Sequence, residues 1–215
     1  MSQLRIAAIV EGDGEVEAVP VLLRRYAELA GWSGRLLIPT VIRQPASKLL
    51  KPGELERLVE LAARKLGGPG GIFVLLDCDD DCPATLGPAL LTRVRQARGD
   101  LPTTLVLAHR EYEAWFLGSA ASLAGQRRLP NDLHPHPAPE TVRGCKEWLS
   151  DQMARGAAYN EVDDQPALTA VFDLDAAKSA CPSFDKCHRE LTSFLQQVAA
   201  VTPGFLSPQI NDNRE

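Results

Sequence analysis

The sequence predicts an α/β fold in which a parallel sheet is flanked by helices and followed by a mainly helical C-terminal part. Short apolar runs alternate with amphipathic helical segments over the first half of the chain. This alternation is typical of parallel strands joined by right-handed helical crossovers. One run, at 72–76 (IFVLL), is apolar throughout, as expected of a strand buried on both faces.

Individual elements follow from hydrophobic periodicity and from glycine and proline. Pro20 lies near the start of the first helix, so we expect that helix to begin around Glu17 or to be kinked there. Pro39 lacks an N–H donor and therefore places the second strand at an edge or bulge. Ser183 is a plausible N-cap for the last helix. The predicted strands are 4–10, 35–42, 72–76 and 103–108, and the helices are 17–30, 54–66, 88–98, 140–150, 166–180 and 183–198.

Composition sets the outer limits on the class of protein. With 215 residues, 45% of them apolar and 24% charged, the chain has enough apolar side chains for a substantial core. Its net charge of -5 argues against a broad basic surface that coats nucleic acid, although an acidic metal site could still touch nucleic acid locally.

The cysteine spacing, and the lack of a membrane-spanning stretch or a secretion signal, indicate the cellular location. Five cysteines at irregular spacings fit reduced thiols better than a disulfide framework. No apolar stretch approaches the ~20 residues of a membrane helix, and the N-terminus has no basic-then-apolar secretion signal. We therefore expect a cytoplasmic protein with no membrane association.

The strand at 72–76 runs directly into the acidic sequence Asp77-Cys78-Asp79-Asp80. In an open α/β sheet, functional sites collect at the carboxyl ends of the strands. Because side chains alternate along an extended chain, we expect Asp77 and Asp79 to point the same way, where they can share a hard divalent cation; without one they repel each other. The alternative is a solvated acidic turn that closes the strand.

A second acidic segment follows the first strand, in the sequence Glu11-Gly12-Asp13-Gly14-Glu15. The glycines allow a sharp turn into the next helix. Neither of the glycine-rich phosphate-binding motifs is present, and the turn carries acids where a phosphate would require bare amides. The segment suits a cation better than an anion.

The two segments IVEGDGE and FVLLDCDDD, in this order and at strand ends, resemble the Toprim domain of topoisomerases, primases and small nucleases. The resemblance covers roughly residues 4–118 and implies a four-stranded parallel sheet. It implies that Glu11, Asp77 and Asp79 bind Mg²⁺ (or Mn²⁺). Glu-Gly-x-x-Glu is similar to the nuclease branch called overcoming-lysogenization-defect, which adds Glu15. Asp80 is a further candidate ligand.

A third cluster, HREYEAWFL, follows the fourth strand and contains Glu111 and Glu113. Both glutamates are expected at the same sheet edge, where a second metal would need ligands and a catalytic carboxylate could lie. The alternative is an ordinary helix start, because glutamates favour the first turn of a helix.

With the segment through Phe184, the HREYEAWFL cluster is also similar to a family of uncharacterised Toprim-like bacterial proteins, often encoded beside an ATPase. This similarity implies an ATPase partner, as in phage defence. The expected organisation is a Toprim-like domain at 1–120, a helical elaboration at 121–202 and a flexible tail at 203–215.

The function implied by these acids is Mg²⁺-dependent hydrolysis of DNA or RNA phosphodiesters, and the sequence is also compatible with a homodimer. Two alternatives remain. One is a non-catalytic regulatory or binding subunit whose acids are idle. The other is a nucleotide-sugar transferase that uses Asp77 and Asp79, which leaves Glu11 without a role. The hydrolase hypothesis requires Glu11 and Asp77 to face one pocket, with no basic side chain neutralising the gap between them.

Overall fold

A computed structural model describes residues 3–79 and 81–202. Two expectations lie outside the described residues, namely Asp80 as a metal ligand and a flexible tail at 203–215. No helix in the described part of the chain is long and apolar enough to cross a membrane.

The fold class is the predicted one, with a parallel sheet, flanking helices and a helical C-terminal part. The strands are β1 (Gln3–Val10), β2 (Arg35–Leu37), β3 (Val41–Arg43), β4 (Gly71–Asp77) and β5 (Thr103–Ala108). The helices are α1 (Glu15–Leu29), α2 (Ala46–Leu49), α3 (Glu54–Leu66), α4 (Pro83–Ala97), α5 (Ala114–Gly118), α6 (Cys145–Gln152), α7 (Glu161–Val171), α8 (Leu174–Ala180) and α9 (Pro182–Ala200).

All strand pairings are parallel, and the sheet order is β2-β1-β4-β5, with β3 also paired to β1. β2 pairs with the first half of β1 and β3 with the second half. The single predicted strand at 35–42 is therefore two short strands, and Pro39 lies in the interruption. This confirms the expected edge position, because proline cannot donate a ladder hydrogen bond.

The register brings three strand ends to one edge of the sheet. Val10 of β1 is paired with Leu75 of β4, and Asp77 of β4 is paired with Ala108 of β5. Consequently Glu11, Asp77 and the segment after β5 emerge close together.

Helices cover both faces of the sheet, and buried aromatic side chains fasten the C-terminal part to one of them. The Tyr112 hydroxyl lies 2.9 Å from Thr169 Oγ1 of α7, and the indole N–H of Trp115 donates to Ser183 Oγ of α9 at 2.9 Å. The sequence predicted Ser183 as the N-cap of α9, and this prediction is wrong. Cys181 holds that position, with Pro182 as the first helical residue.

Two helices begin earlier than their prolines had indicated. α1 starts at Glu15 and runs through Pro20, and α4 starts at Pro83 and runs through Pro88. Each proline removes one backbone hydrogen bond. Burial of the apolar stripe of each helix, of α1 mainly against α7 and of α4 against β5, outweighs that loss.

Candidate metal and active site

Four carboxylates converge at the edge where β1, β4 and β5 end, and we refer to Glu11, Glu15, Asp77 and Glu113 as the acidic cluster. Glu11 directly follows β1, Asp77 ends β4, and both are half-buried. Glu15 begins α1 and is 3% exposed, whereas Glu113 immediately precedes α5 and is 0% exposed. The expected meeting of the Glu11 and Asp77 corners is therefore present.

The Gly12–Glu15 turn positions the Glu15 carboxylate. Glu15 Oε2 accepts a hydrogen bond from the Gly12 backbone N–H, and Oε1 accepts one from Gln165 Nε2 at 3.4 Å. A Cβ atom at position 12 would lie 2.8 Å from Glu15 Oε2, which is too close for a real contact. Glycine at this position therefore allows the carboxylate to fold back over the turn.

Glu113 is held by neutral donors on one oxygen only. Its Oε1 accepts from the Tyr159 hydroxyl at 2.9 Å and from Gln165 Nε2 at 3.2 Å. Its Oε2 is buried without a hydrogen-bond partner among the described residues. Glu11 Oε2 is likewise buried and has no hydrogen-bond partner among them. Buried oxygens of this kind are rare in folded proteins and require an explanation, such as a bound ion.

Burial raises the pKa of every member of the cluster, and repulsion from other cluster acids raises it further for Glu11, Asp77 and Glu113. Burial is the largest cause in each case. For Asp77 the charges of Glu15, Glu113 and Glu11 raise the pKa further, to well above its ordinary value. Burial and the charge of Glu15 bring the pKa of Glu113 to about 7, although Lys146 and the Tyr159 hydrogen bond oppose the rise. Full ionisation of the cluster is therefore unfavourable, and a bound cation would favour the ionised carboxylates.

Asp79 lies beside the cluster, but not in the way the sequence predicted. Its φ of 36° is left-handed, so the chain is not extended after Asp77 and the alternation of side chains along a strand no longer applies. Its N–H donates to the Arg110 carbonyl at 3.2 Å, and its carbonyl accepts from Arg110 Nη1 at 2.9 Å. Burial is the main cause of the raised pKa of Glu11, and the negative charge of the exposed Asp79 carboxylate raises this pKa further.

Glu111 has a structural partner of its own. Its Oε1 accepts hydrogen bonds from the backbone N–H groups of Gly144 and Cys145, at 3.1 and 3.2 Å, where α6 begins. A carboxylate at a helix N-terminus satisfies otherwise unpaired donors. Glu111 also lines an open cleft with Asp79, Arg110, Arg143 and Gly144, and no member of the acidic cluster lines that cleft.

Lys146 of α6 is the residue that the sequence reasoning missed. Burial lowers its pKa, but the charges of Glu113, Glu161 and Asp77 and a hydrogen bond to Glu161 outweigh this effect, so its pKa is raised overall. The hydrolase hypothesis requires that no basic side chain neutralise the gap between Glu11 and Asp77. Lys146 lowers the pKa of Asp77, but burial and the charges of Glu15, Glu113 and Glu11 raise it more, and the ammonium group is hydrogen-bonded to Glu161.

The residues present fit a hard divalent cation by donor type. The cluster offers carboxylate oxygens, and Glu11 and Glu113 each keep a buried oxygen without a partner among the described residues. Within residues 3–79 and 81–202, no group of three or more His, Cys, Asp or Glu side chains has the arrangement of a metal site. Glu15 and Glu113 are instead held by Gln165 and Tyr159, and Asp77 Oδ1 accepts a hydrogen bond from the Tyr112 N–H at 2.9 Å.

Comparisons with known proteins give a family but no activity. No curated protein matches the chain, and no solved structure matches it. The family described as "Domain of unknown function (DUF4276)" matches residues 10–192, which is more than half of the chain and includes the whole acidic cluster. The chain therefore belongs to the DUF4276 family.

Proposed function

We propose that this protein is a Mg²⁺-dependent phosphodiester hydrolase of the Toprim type that acts on DNA or RNA. The observation that carries the proposal is the convergence of Glu11, Glu15, Asp77 and Glu113 at one sheet edge, where burial raises the pKa of all four. Four concentrated carboxylates are costly for folding unless they hold a cation, and divalent cations recruited by carboxylates are the usual means of cleaving phosphodiesters.

Glu11, Asp77 and the neighbouring Asp79 would hold the ion, with Glu15 in support. Bound there, Mg²⁺ (or Mn²⁺) would activate water and offset charge on the phosphoryl oxygens. Glu111 lies at the adjoining cleft, where a second ion would need a ligand.

Glu113 suits the role of a general base. A base works best when its pKa is near the working pH, and the pKa of Glu113 is about 7. Its buried Oε2 has no hydrogen-bond partner among the described residues and could take a proton from an attacking water, provided that water enters the buried site. The water oxygen would then bond to phosphorus as the opposite P–O bond breaks.

Lys146 would assist by charge. Its ammonium group hydrogen-bonds Glu161 and interacts with Glu113 and Asp77, at the side of the cluster where a phosphate would approach the general base. A lysine fixed in this position can stabilise negative charge that develops on a phosphoryl group. The protein would act with an ATPase partner, as the Toprim-like resemblance implies, and in the cytoplasm, as we expect from the sequence.

The competing proposal is a non-catalytic binding or regulatory subunit. The observation in its favour is that Lys146 and Gln165 already serve as partners for the acids, as they would in a site that binds no ion. Calorimetric titration with Mg²⁺ and Mn²⁺ separates the two proposals, because an idle site releases no heat and gains no thermal stability.

The direct test is cleavage of labelled single- and double-stranded DNA and RNA with Mg²⁺ or Mn²⁺. We expect Glu11→Gln and Asp77→Asn each to reduce the rate by at least about 100-fold. Glu28→Gln is the matched control, since Glu28 is an exposed acid on α1. Wild-type cleavage that survives in both cluster variants would refute the assignment.

A further inference from the structure

A cavity of about 700 Å³ lies between the ends of α1 and α7 and the helices α8 and α9. We refer to this cavity as the distal pocket, and its lining includes Arg25, Leu29, Val171, Asp173, Asp175 and His188. Glu15 of the acidic cluster begins α1, and Leu29 ends it. At ~1.5 Å per residue, α1 therefore separates the distal pocket from the acidic cluster by about 20 Å. The volume of the pocket lies in the range of about 300–1,000 Å³ that is typical of small-molecule sites.

Part of the lining of the distal pocket is apolar and open to solvent, and we refer to this part as the apolar wall. It contains Leu29 and Val171, which are 66% and 45% exposed, together with Leu174. Removing apolar surface from water is favourable. The apolar wall therefore favours a ligand with an apolar body.

Two side chains of the distal pocket are hydrogen-bond donors held in place by their neighbours. Arg25 Nη1 donates to the Thr169 carbonyl at 2.8 Å, and the guanidinium lies 5.1 Å from the centre of the Phe172 ring, which leaves its other N–H groups for a ligand. The buried Tyr26 hydroxyl lies 3.1 Å from His188 Nδ1 and has no other hydrogen-bond partner among the described residues. It therefore donates to Nδ1, and the imidazole carries its proton on Nε2. A guanidinium and a second N–H donor in one pocket suit a carboxylate.

The distal pocket also contains two carboxylates. Asp173 Oδ1 accepts from the backbone N–H groups of Asp175 and Ala176, at 2.8 and 3.0 Å, and Oδ2 has no hydrogen bond within the described part of the chain. Burial lowers the pKa of Arg25 and the nearby charge of Asp173 opposes this effect, so the two groups are neighbours. Neither Asp173 nor Asp175 is in ion-pair contact with a described residue. With one guanidinium and two carboxylates, the pocket is complementary to a ligand that carries an ammonium group as well as a carboxylate.

We propose that the distal pocket binds a zwitterion with an apolar body, of which an apolar amino acid and a short apolar peptide are the simplest sources. The ligand carboxylate binds Arg25 and the Nε2–H of His188, and the ligand ammonium group binds Asp173 and Asp175. The apolar body covers the apolar wall. A purely anionic ligand is disfavoured by the two aspartates, and a purely cationic one by the guanidinium. The inference is independent of the proposed function, since it involves no residue of the acidic cluster and no metal.

Titration of the full chain with matched compounds tests the class of ligand, by calorimetry and by thermal shift. The zwitterions are leucine, phenylalanine and leucyl-leucine, whereas isocaproate lacks the ammonium group of leucine and isoamylamine lacks its carboxylate. We expect at least one zwitterion to bind at least about tenfold more tightly than isocaproate and isoamylamine. Tightest binding of leucine or phenylalanine would identify a free amino acid as the source, and tightest binding of leucyl-leucine a peptide. Binding of no zwitterion, or equal binding of isocaproate or isoamylamine, would overturn the proposal.

Variants of exposed residues then assign the bound zwitterion to the distal pocket. Val171→Arg places a long cation at the apolar wall and should weaken binding at least about tenfold. Val162→Arg is the matched control, because Val162 is also on α7, is 50% exposed and does not line the pocket. Asp175→Asn should weaken binding of the zwitterion but not of isocaproate, because only the zwitterion has an ammonium group. Equal binding by the two arginine variants, or an Asp175→Asn variant that binds the zwitterion like wild type, would contradict the assignment.

Discussion

The buried Glu113 carboxyl makes the stability of the protein depend on pH in a direction that can be calculated. Its pKa is raised from 4.5 to about 7 in the folded state, mainly by burial. Between these pH values the folded state holds a proton that the unfolded state has released. Burial of the neutral Glu113 carboxyl therefore contributes fully to the free energy of unfolding below pH 4.5. This contribution is lost as the pH rises through 7, and the total loss is about 3 kcal/mol.

Glu113→Gln should remove this dependence. The amide oxygen can still accept hydrogen bonds from Tyr159 and Gln165, as Oε1 does now, and the side chain no longer ionises. We expect the free energy of unfolding of wild type to fall by about 2.5 kcal/mol relative to the variant between pH 5 and pH 8. The assay is urea unfolding at several pH values in the presence of a chelator.

Glu17→Gln changes an exposed acid of α1 and should leave the pH dependence of wild type unchanged. Equal pH slopes for wild type and Glu113→Gln would show that the Glu113 carboxyl is not held neutral, and the general-base role would lose its basis. At pH 8, added Mg²⁺ should recover part of the lost stability in wild type and less in the variant.

Three further variants test the contacts around the site and the core. Lys146→Met should strengthen Mn²⁺ binding in calorimetry, because a competing cation is removed, while slowing cleavage; weaker binding would contradict the role of Lys146 as a charge beside the ion. Gly12→Ala should lower Mn²⁺ affinity without unfolding the protein, because the new Cβ displaces the Glu15 carboxylate; unchanged affinity would exclude Glu15 from the site. Ser183→Ala should cost about 1–3 kcal/mol in urea unfolding, because the buried Trp115 N–H loses its acceptor.

The parts of the site carried by strand ends could be predicted from the sequence. The apolar runs before Glu11 and Asp77 identify buried strands, and parallel strands place their carboxyl ends at one edge. Local glycine patterns likewise indicated the turn that holds Glu15. These features depend on neighbours in the sequence, which makes them readable without a structure.

The remaining features depend on tertiary packing. Lys146, Tyr159 and Gln165 come from α6, α7 and the segment between them, and no local pattern shows that these elements return to the sheet edge. The left-handed backbone at Asp79 is set by its hydrogen bonds to Arg110, which is distant in sequence. The same holds for Glu111, whose partners are the first N–H groups of α6.

The most direct test of the central claim, that the acidic cluster holds a divalent cation, is anomalous diffraction from a crystal soaked in Mn²⁺. We predict an anomalous peak in contact with carboxylate oxygens of both Glu11 and Asp77, and loss of that peak in Asp77→Asn. A crystal with no peak at this edge, in which Lys146 stays beside Glu113 and Asp77 as their only cation, would contradict the metal site and the hydrolase proposal with it.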